Sequence, residues 1–200
     1  VGIAAAIGLP LGAALAVLRF PGRGVLIVVT NALMGLPPVV VGLIVYLLLS
    51  RSGPFGVFGL LFTPTAMIIA QIVLVLPIIA SLSYQITSDL WEEYSEQLAS
   101  LGIGPTRAVT TVLWDGRFGL LTAVLAGFGR ASAEVGAVMI VGGNIDHVTR
   151  VMTTAIAMET SRGDLALALG LGIVLIVISL VVNSITLGIG AVVRPESALP

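Results

Sequence analysis

Two ionisable side chains sit where an apolar run leaves no obvious water to receive them. Arg130 and Glu134 fall inside the run Gly119–Val141, four residues apart. On a continuous helix that spacing places both side chains on one face. A charge at membrane depth is expensive, and such groups turn toward a bundle interior or a cavity. Two readings follow. In one, the pair neutralises itself and pins its helix to the neighbours. In the other, Arg130 stands beside an anion pathway, at a gate or at a dimer interface, with Glu134 and the small Gly136 beside it. A permanent pair suits a gate better than a binding site, because the carboxylate repels the anion that the guanidinium attracts. Little else offers reaction chemistry. Cysteine is absent and His147 is the single histidine, so thiolate metal sites and a nucleophile–base–acid set lack material. No G-x-x-x-x-G-K-[ST] loop is present to cradle a nucleotide. An enzyme and an ion-coupled carrier are therefore poorly served, the second because Glu134 is the only carboxylate available inside a span.

The elements that must position these residues are set by composition. Of 200 residues, 58% are hydrophobic and 10% charged, with mean hydropathy +1.15. Soluble domains carry about 25% charged residues, so the bilayer is the solvent this chain fits. The net charge of −1 gives no basic face for nucleic acid. Five apolar runs predict five transmembrane helices in an all-α membrane protein: Val1–Leu18, Val25–Leu49, Pro64–Leu82, Gly119–Val141 and Leu165–Val193. Phe55–Phe62 is too short to span and is expected to lie at the interface or fold back. Pro37-Pro38 should kink or break the second run and free its carbonyls in midspan. Residues 1–200 read as one transmembrane domain. The start at Val1, inside an apolar run, is expected to fall partway into the first helix of a longer chain.

All nine basic residues are Arg. Five spans place Arg19, Arg23, Arg107, Arg117 and Arg194 on one side and Arg51, Arg150 and Arg162 on the other, which orients the first group toward the cytoplasm. The polar stretch Ser83–Phe118, with its loop 84–118, is then cytoplasmic, and Gly142–Asp164 faces outward. The loop exceeds the ~2–8 residues that join neighbouring helices. Ser88 or Asp89 could cap a helix carrying Glu92 and Glu93 in its first turn. Leu90, Tyr94, Gln97, Leu98 and Leu101 should share its packed face, with Glu92, Glu93 and Glu96 turned away. Gly102 and Gly104-Pro105 end it, and Pro105 can open a second helix to Trp114. Two short helices at a glycine turn form either an interfacial amphipathic hairpin or a knob for a partner's groove.

The stretch Glu96-Gln-Leu-Ala-Ser-Leu-Gly102 resembles the EAA loop of ABC-importer permeases. Glu96 and Gly102 match its spacing and Val112 its hydrophobic position, whereas Gln97-Leu98 replace the paired alanines and Trp114-Asp115 the Leu-Pro. Leu36-Pro-Pro-Val-Val-Val-Gly42 resembles the second-helix motif of molybdate and tungstate permeases. Phe128–Asn144 and Thr149–Asp164 resemble the tungstate type more closely. The resemblance implies the membrane subunit of an ATP-driven oxyanion importer, for tungstate or alternatively molybdate or another oxyanion, with the type I permease core, working as a homodimer in the cell membrane. It implies no cofactor in this chain, with ATP bound by a cytoplasmic ATPase partner. Glu92, Glu93, Glu96, Ala99, Gly102 and Arg107 would form the ATPase-coupling loop, and Pro37-Pro38 would line the pathway. The outer surface of Asn144, Asp146, Arg150 and Arg162, with Glu159 and Asp164, would dock an extracytoplasmic oxyanion-binding protein. Gly142-Gly143-Asn144 also reads as a simple helix stop, and the Glu92, Glu93 and Glu96 face as a solvated acidic one.

Overall fold

The structure is a computed structural model, and it describes residues 1–193; Arg194, assigned above to the cytoplasmic side, lies outside the described residues. The regular structure of the described residues is all helical: α1 (Gly2–Val17), α2 (Arg23–Leu33), α3 (Pro38–Leu49), α4 (Pro64–Ser100), α5 (Pro105–Asp115), α6 (Arg117–Ser132), α7 (Gly136–Gly142), α8 (Met152–Arg162) and α9 (Leu165–Val193), with a 3-10 turn at Gly56–Phe58. Helix is what the bilayer demands, since it satisfies every backbone group within its own segment. Among the described residues, α4 and α9 are each long and apolar enough to cross a membrane alone. The pairs α2/α3 and α5/α6 reach that length only as bent units, with bends of 106° and 75°. The sixteen residues of α1 cover about 24 Å. The count of five single spans thus remains a reading of the apolar runs.

Helix α4 is the axis. It packs along α1 on one side and α6 on another. Ala4, Val75 and Ile79 are buried at the upper α1–α4 contact; Ala16 and Val17 of α1 meet Leu98, Ala108 and Val112 at its lower end. A second cluster joins Val41, Val45 and Leu49 of α3 to Ala66, Ala70 and Leu74 of α4 and Ala137 and Val141 of α7. Gly42 makes that approach possible: a Cβ there would stand 2.7 Å from the Ala137 Cα. Gly136 similarly faces Val39.

Three expectations are corrected. First, no helix begins at Ser88 or Asp89: α4 runs unbroken from its Thr63 cap to Ser100. The polar residues that suggested a loop are absorbed on the packed face. Ser83 Oγ donates to the Leu9 carbonyl at 2.8 Å, and Thr87 Oγ1 to the Ser83 carbonyl at 2.6 Å. Second, Gln97 and Leu101 are exposed, although Leu98 is buried and Leu90 and Tyr94 are half-buried as expected. Third, the run Gly119–Val141 is not one helix. It breaks at residues 133–135, so Arg130 and Glu134 lie on different segments and do not share a face. At Pro37-Pro38 the chain breaks outright, with Pro38 opening α3.

Candidate functional site

Where a helix stops inside an apolar protein, its carbonyls need donors that water cannot supply. Both breaks meet this need with side chains from elsewhere. Arg130, in the last turn of α6, donates from Nη2 to the Leu36 carbonyl at 3.3 Å, at the Pro37-Pro38 break. Gln71 of α4 donates from Nε2 to the Ala131 carbonyl at 3.2 Å. Thr153 of α8 donates to the Glu134 carbonyl at 3.0 Å. Glu134 itself is 5% exposed, and its Oε1 accepts the Ala137 amide at 2.9 Å. A carboxylate at that position faces the positive end of α7.

The Arg130–Glu134 pair expected from spacing does not form. The ion pairs of the described residues are Asp146 with Arg150 and Glu159 with Arg162, and His147 Nε2 lies 3.7 Å from the Asp146 carboxylate. The Glu134 carboxylate is committed to a backbone amide, while Arg130 keeps a buried Nε without a partner. Gln71 Oε1 is likewise buried and unpaired. A cavity of about 490 Å³ opens beside Gln71 and Glu134, lined also by Ser132, Met152 and Thr153, and Arg130 is not on its lining. Gln71 and Thr153 had no signal in the sequence, because their acceptors lie 60 and 19 residues away.

The hairpin is the second site. Gly102 adopts φ +70°, a left-handed turn for which glycine is suited, and Ile103 N–H returns to the Leu98 carbonyl at 3.0 Å. Pro105 opens α5 as expected. Glu92, Glu93, Glu96, Ala99, Gly102 and Arg107 are all exposed. Between the two helices runs a groove of about 560 Å³ lined by Tyr94, Leu98, Leu101, Thr111, Trp114 and Asp115. Leu101 and Trp114 are each 73% exposed. The Asp115 carboxylate, followed by Glu93, pushes the Tyr94 phenol above its usual pKa, with some burial and a hydrogen bond to Asp115 adding to it. In the sequence Trp114 marked the end of the second helix, and with Asp115 a departure from a motif, but neither signalled a groove.

The third region begins at Gly143 and Asn144, with φ +70° and +50°, where α7 stops. Thr149 Oγ1 donates to the Gly142 carbonyl at 2.6 Å and accepts the Ile145 amide at 2.8 Å, closing this turn. Arg150 pairs with Asp146 at 2.7 Å and Arg162 with Glu159 at 3.0 Å. Asp164 accepts the Leu167 amide at the start of α9. The charges are thus paired within the segment, although Arg150 Nε and Asn144 Oδ1 are buried without a partner. His147 is exposed, with φ +55°.

A membrane protein with broken helices around an apolar core and one helical hairpin outside it can be placed by comparison. The sequence profile of the binding-protein-dependent transport system inner membrane component family matches residues 8–196. The chain belongs to that family. This permease is 42% identical over 190 residues to a probable anion ABC transporter permease protein of Haloferax volcanii, covering 92% of this chain and 82% of the relative. It is 43% identical to the tungstate uptake system permease protein TupB of Peptoclostridium acidaminophilum, covering 92% and 80%. With the TupB of Campylobacter jejuni it shares 41% identity, covering 79% and 66%. The permease is therefore a multi-pass membrane component of an ABC transporter, and its family is a transport family, not a catalytic one.

Proposed function

We propose that this permease is the membrane-spanning subunit of an ATP-driven importer of tungstate. The observation that carries the substrate is the identity of 41–43% to two proteins named as tungstate uptake permeases. Molybdate, a tetrahedral dianion of nearly the same shape, is the second reading. Neither ATP nor any other cofactor is held by this chain; a cytoplasmic ATPase binds and hydrolyses the nucleotide. Two copies of the permease form the pathway, and a binding protein delivers the oxyanion to the outer face.

Each role rests on a region described above. The hairpin Glu92–Arg107 docks on the ATPase, with Glu92, Glu93 and Glu96 as the charged face and Gly102 as the turn. The broken segments at Pro37-Pro38 and 133–135 form the gate. Loss of the Arg130–Glu134 pair favours Arg130 as the group that meets the anion. A guanidinium with an unpaired buried Nε attracts an oxyanion that a neutralised pair would not. The Asn144–Arg162 surface docks the binding protein, through backbone and shape more than through free charge.

The test is reconstitution of the permease with its ATPase and binding protein in liposomes. Tungstate accumulation that requires all three proteins and ATP is the expected result. Accumulation without the ATPase, or none in the complete system, would overturn the reading. Competition between tungstate and molybdate separates the two substrates. Charge-neutral replacement of both Arg130 and Glu134 should change uptake and basal ATPase; unchanged values would remove them from the gate.

A further inference from the structure

Away from the breaks and the hairpin groove, a slot of about 430 Å³ runs between α1 and the α5–α6 junction. Its walls are Ala5, Leu9 and Pro10 of α1 and Leu113, Leu120 and Val124 of α5 and α6. All are apolar. The one charged residue on the lining is Arg117, the first residue of α6. Arg117, Leu120 and Val124 follow one stripe of α6, so the slot extends roughly 10 Å along that helix, and Leu113 borders it from α5 across the 75° bend.

Arg117 is placed unlike the other cations. Its guanidinium lies 5.2 Å from the Trp114 ring centre and 4.5 Å from that of Phe118. Nη1 donates to the Trp114 carbonyl at 2.7 Å, which uses one of five N–H donors. Among the described residues it belongs to no ion pair. The rings hold the cation in place by cation–π attraction without neutralising it. Tryptophan beside arginine at the end of a span is also the composition of a membrane–water boundary.

We propose that this slot is a binding site for an anionic phospholipid. One acyl chain lies in the apolar slot along α1, and the phosphate takes the remaining donors of Arg117. Charge complementarity selects this occupant. A zwitterionic lipid brings its own cation to the guanidinium, and an apolar helix leaves Arg117 uncompensated. The bound lipid abuts α5 and so joins bilayer composition to the position of the hairpin.

Trp114 lies off the slot's lining but against Arg117, and so reports on the site through that contact. The full chain, carrying Trp91→Phe so that Trp114 is its only tryptophan, is placed in vesicles of phosphatidylcholine and phosphatidylglycerol at equal mole fractions. Bromine is carried on the acyl chains of one lipid or the other. Quenching of Trp114 should be stronger with bromine on phosphatidylglycerol, corresponding to a roughly five-fold local enrichment, the equivalent of one surface charge. Arg117→Gln should abolish the preference, and Arg107→Gln, on the hairpin away from the slot, should keep it. Ala6→Phe, which fills the slot, should reduce quenching by both lipids. Equal quenching by the two lipids, or a preference that survives Arg117→Gln, would overturn the proposal. Circular dichroism of each variant separates loss of the site from loss of the fold; should Arg117→Gln misfold, Ala6→Phe still decides the outcome.

Discussion

The hairpin and the paired breaks both interrupt helices, and they do so by opposite means. At the hairpin the chain turns with local residues only: Gly102 supplies the left-handed φ, Ile103 bonds back to Leu98, and Pro105 starts again. The exposed surroundings let water serve the remaining groups. At the breaks the carbonyls of Leu36, Ala131 and Glu134 are served by Arg130, Gln71 and Thr153, from three other helices. A turn in water is a property of its own few residues. A turn at membrane depth is a property of the whole bundle, so its opening must break contacts between helices.

Substitutions can sharpen or break this contrast. The largest effect is expected at Gly102→Pro. Proline cannot adopt φ +70°, and the strain is on the order of 3 kcal/mol. It should stay within the hairpin: insertion remains normal while ATP-driven uptake is lost, as read by reconstituted transport. Normal transport in this variant would remove the hairpin from coupling. Arg130→Met should act in the other manner. It leaves the Leu36 carbonyl unpaired, a penalty of about 1–3 kcal/mol. Thermal unfolding in detergent should register that loss, and amide exchange should rise at α2–α3 as well as α6. Glu134→Ala removes the bond to the Ala137 amide and should cost about 1 kcal/mol, with Glu134→Gln retaining much of it. Recovery in the Gln variant indicates a hydrogen-bonding role; failure to recover indicates that the charge matters. Gln71→Leu should be smallest, near 0.5 kcal/mol, since losing one hydrogen bond is offset by removing the unpaired Oε1. A large loss there would mean that Oε1 has a partner in the assembled transporter.

The same contrast explains what the sequence disclosed. The hairpin turn was legible because Gly102, Gly104 and Pro105 act within a few residues of themselves. The Pro37-Pro38 break was legible for the same reason. The break at 133–135 was not. Ala133-Glu134-Val135 contains neither glycine nor proline, and apolar periodicity runs through it into α7. What ends α6 there is tertiary: Gln71 and Thr153 take the carbonyls, and Glu134 takes the next amide. Reading through that break also produced the Arg130–Glu134 pair that the structure dissolves. The false start at Ser88 or Asp89 has the converse origin. Serine and threonine suggested a loop, but their hydroxyls return to the carbonyls of Leu9 and Ser83, so the helix continues.

That continuity gives α4 a mechanical property. Thirty-seven residues without a break make a rod about 55 Å long, with Thr63 at one end and the hairpin at the other. Pro77 is the one position within it where a backbone bond is missing. A rod pivoting near its middle converts a small rotation into displacement at both ends: at about 10° each tip moves roughly 5 Å, a distance close to one helical turn. A push on the hairpin would therefore be carried along α4 to α3 and α7, with Pro77 setting how much of the stroke is lost to bending.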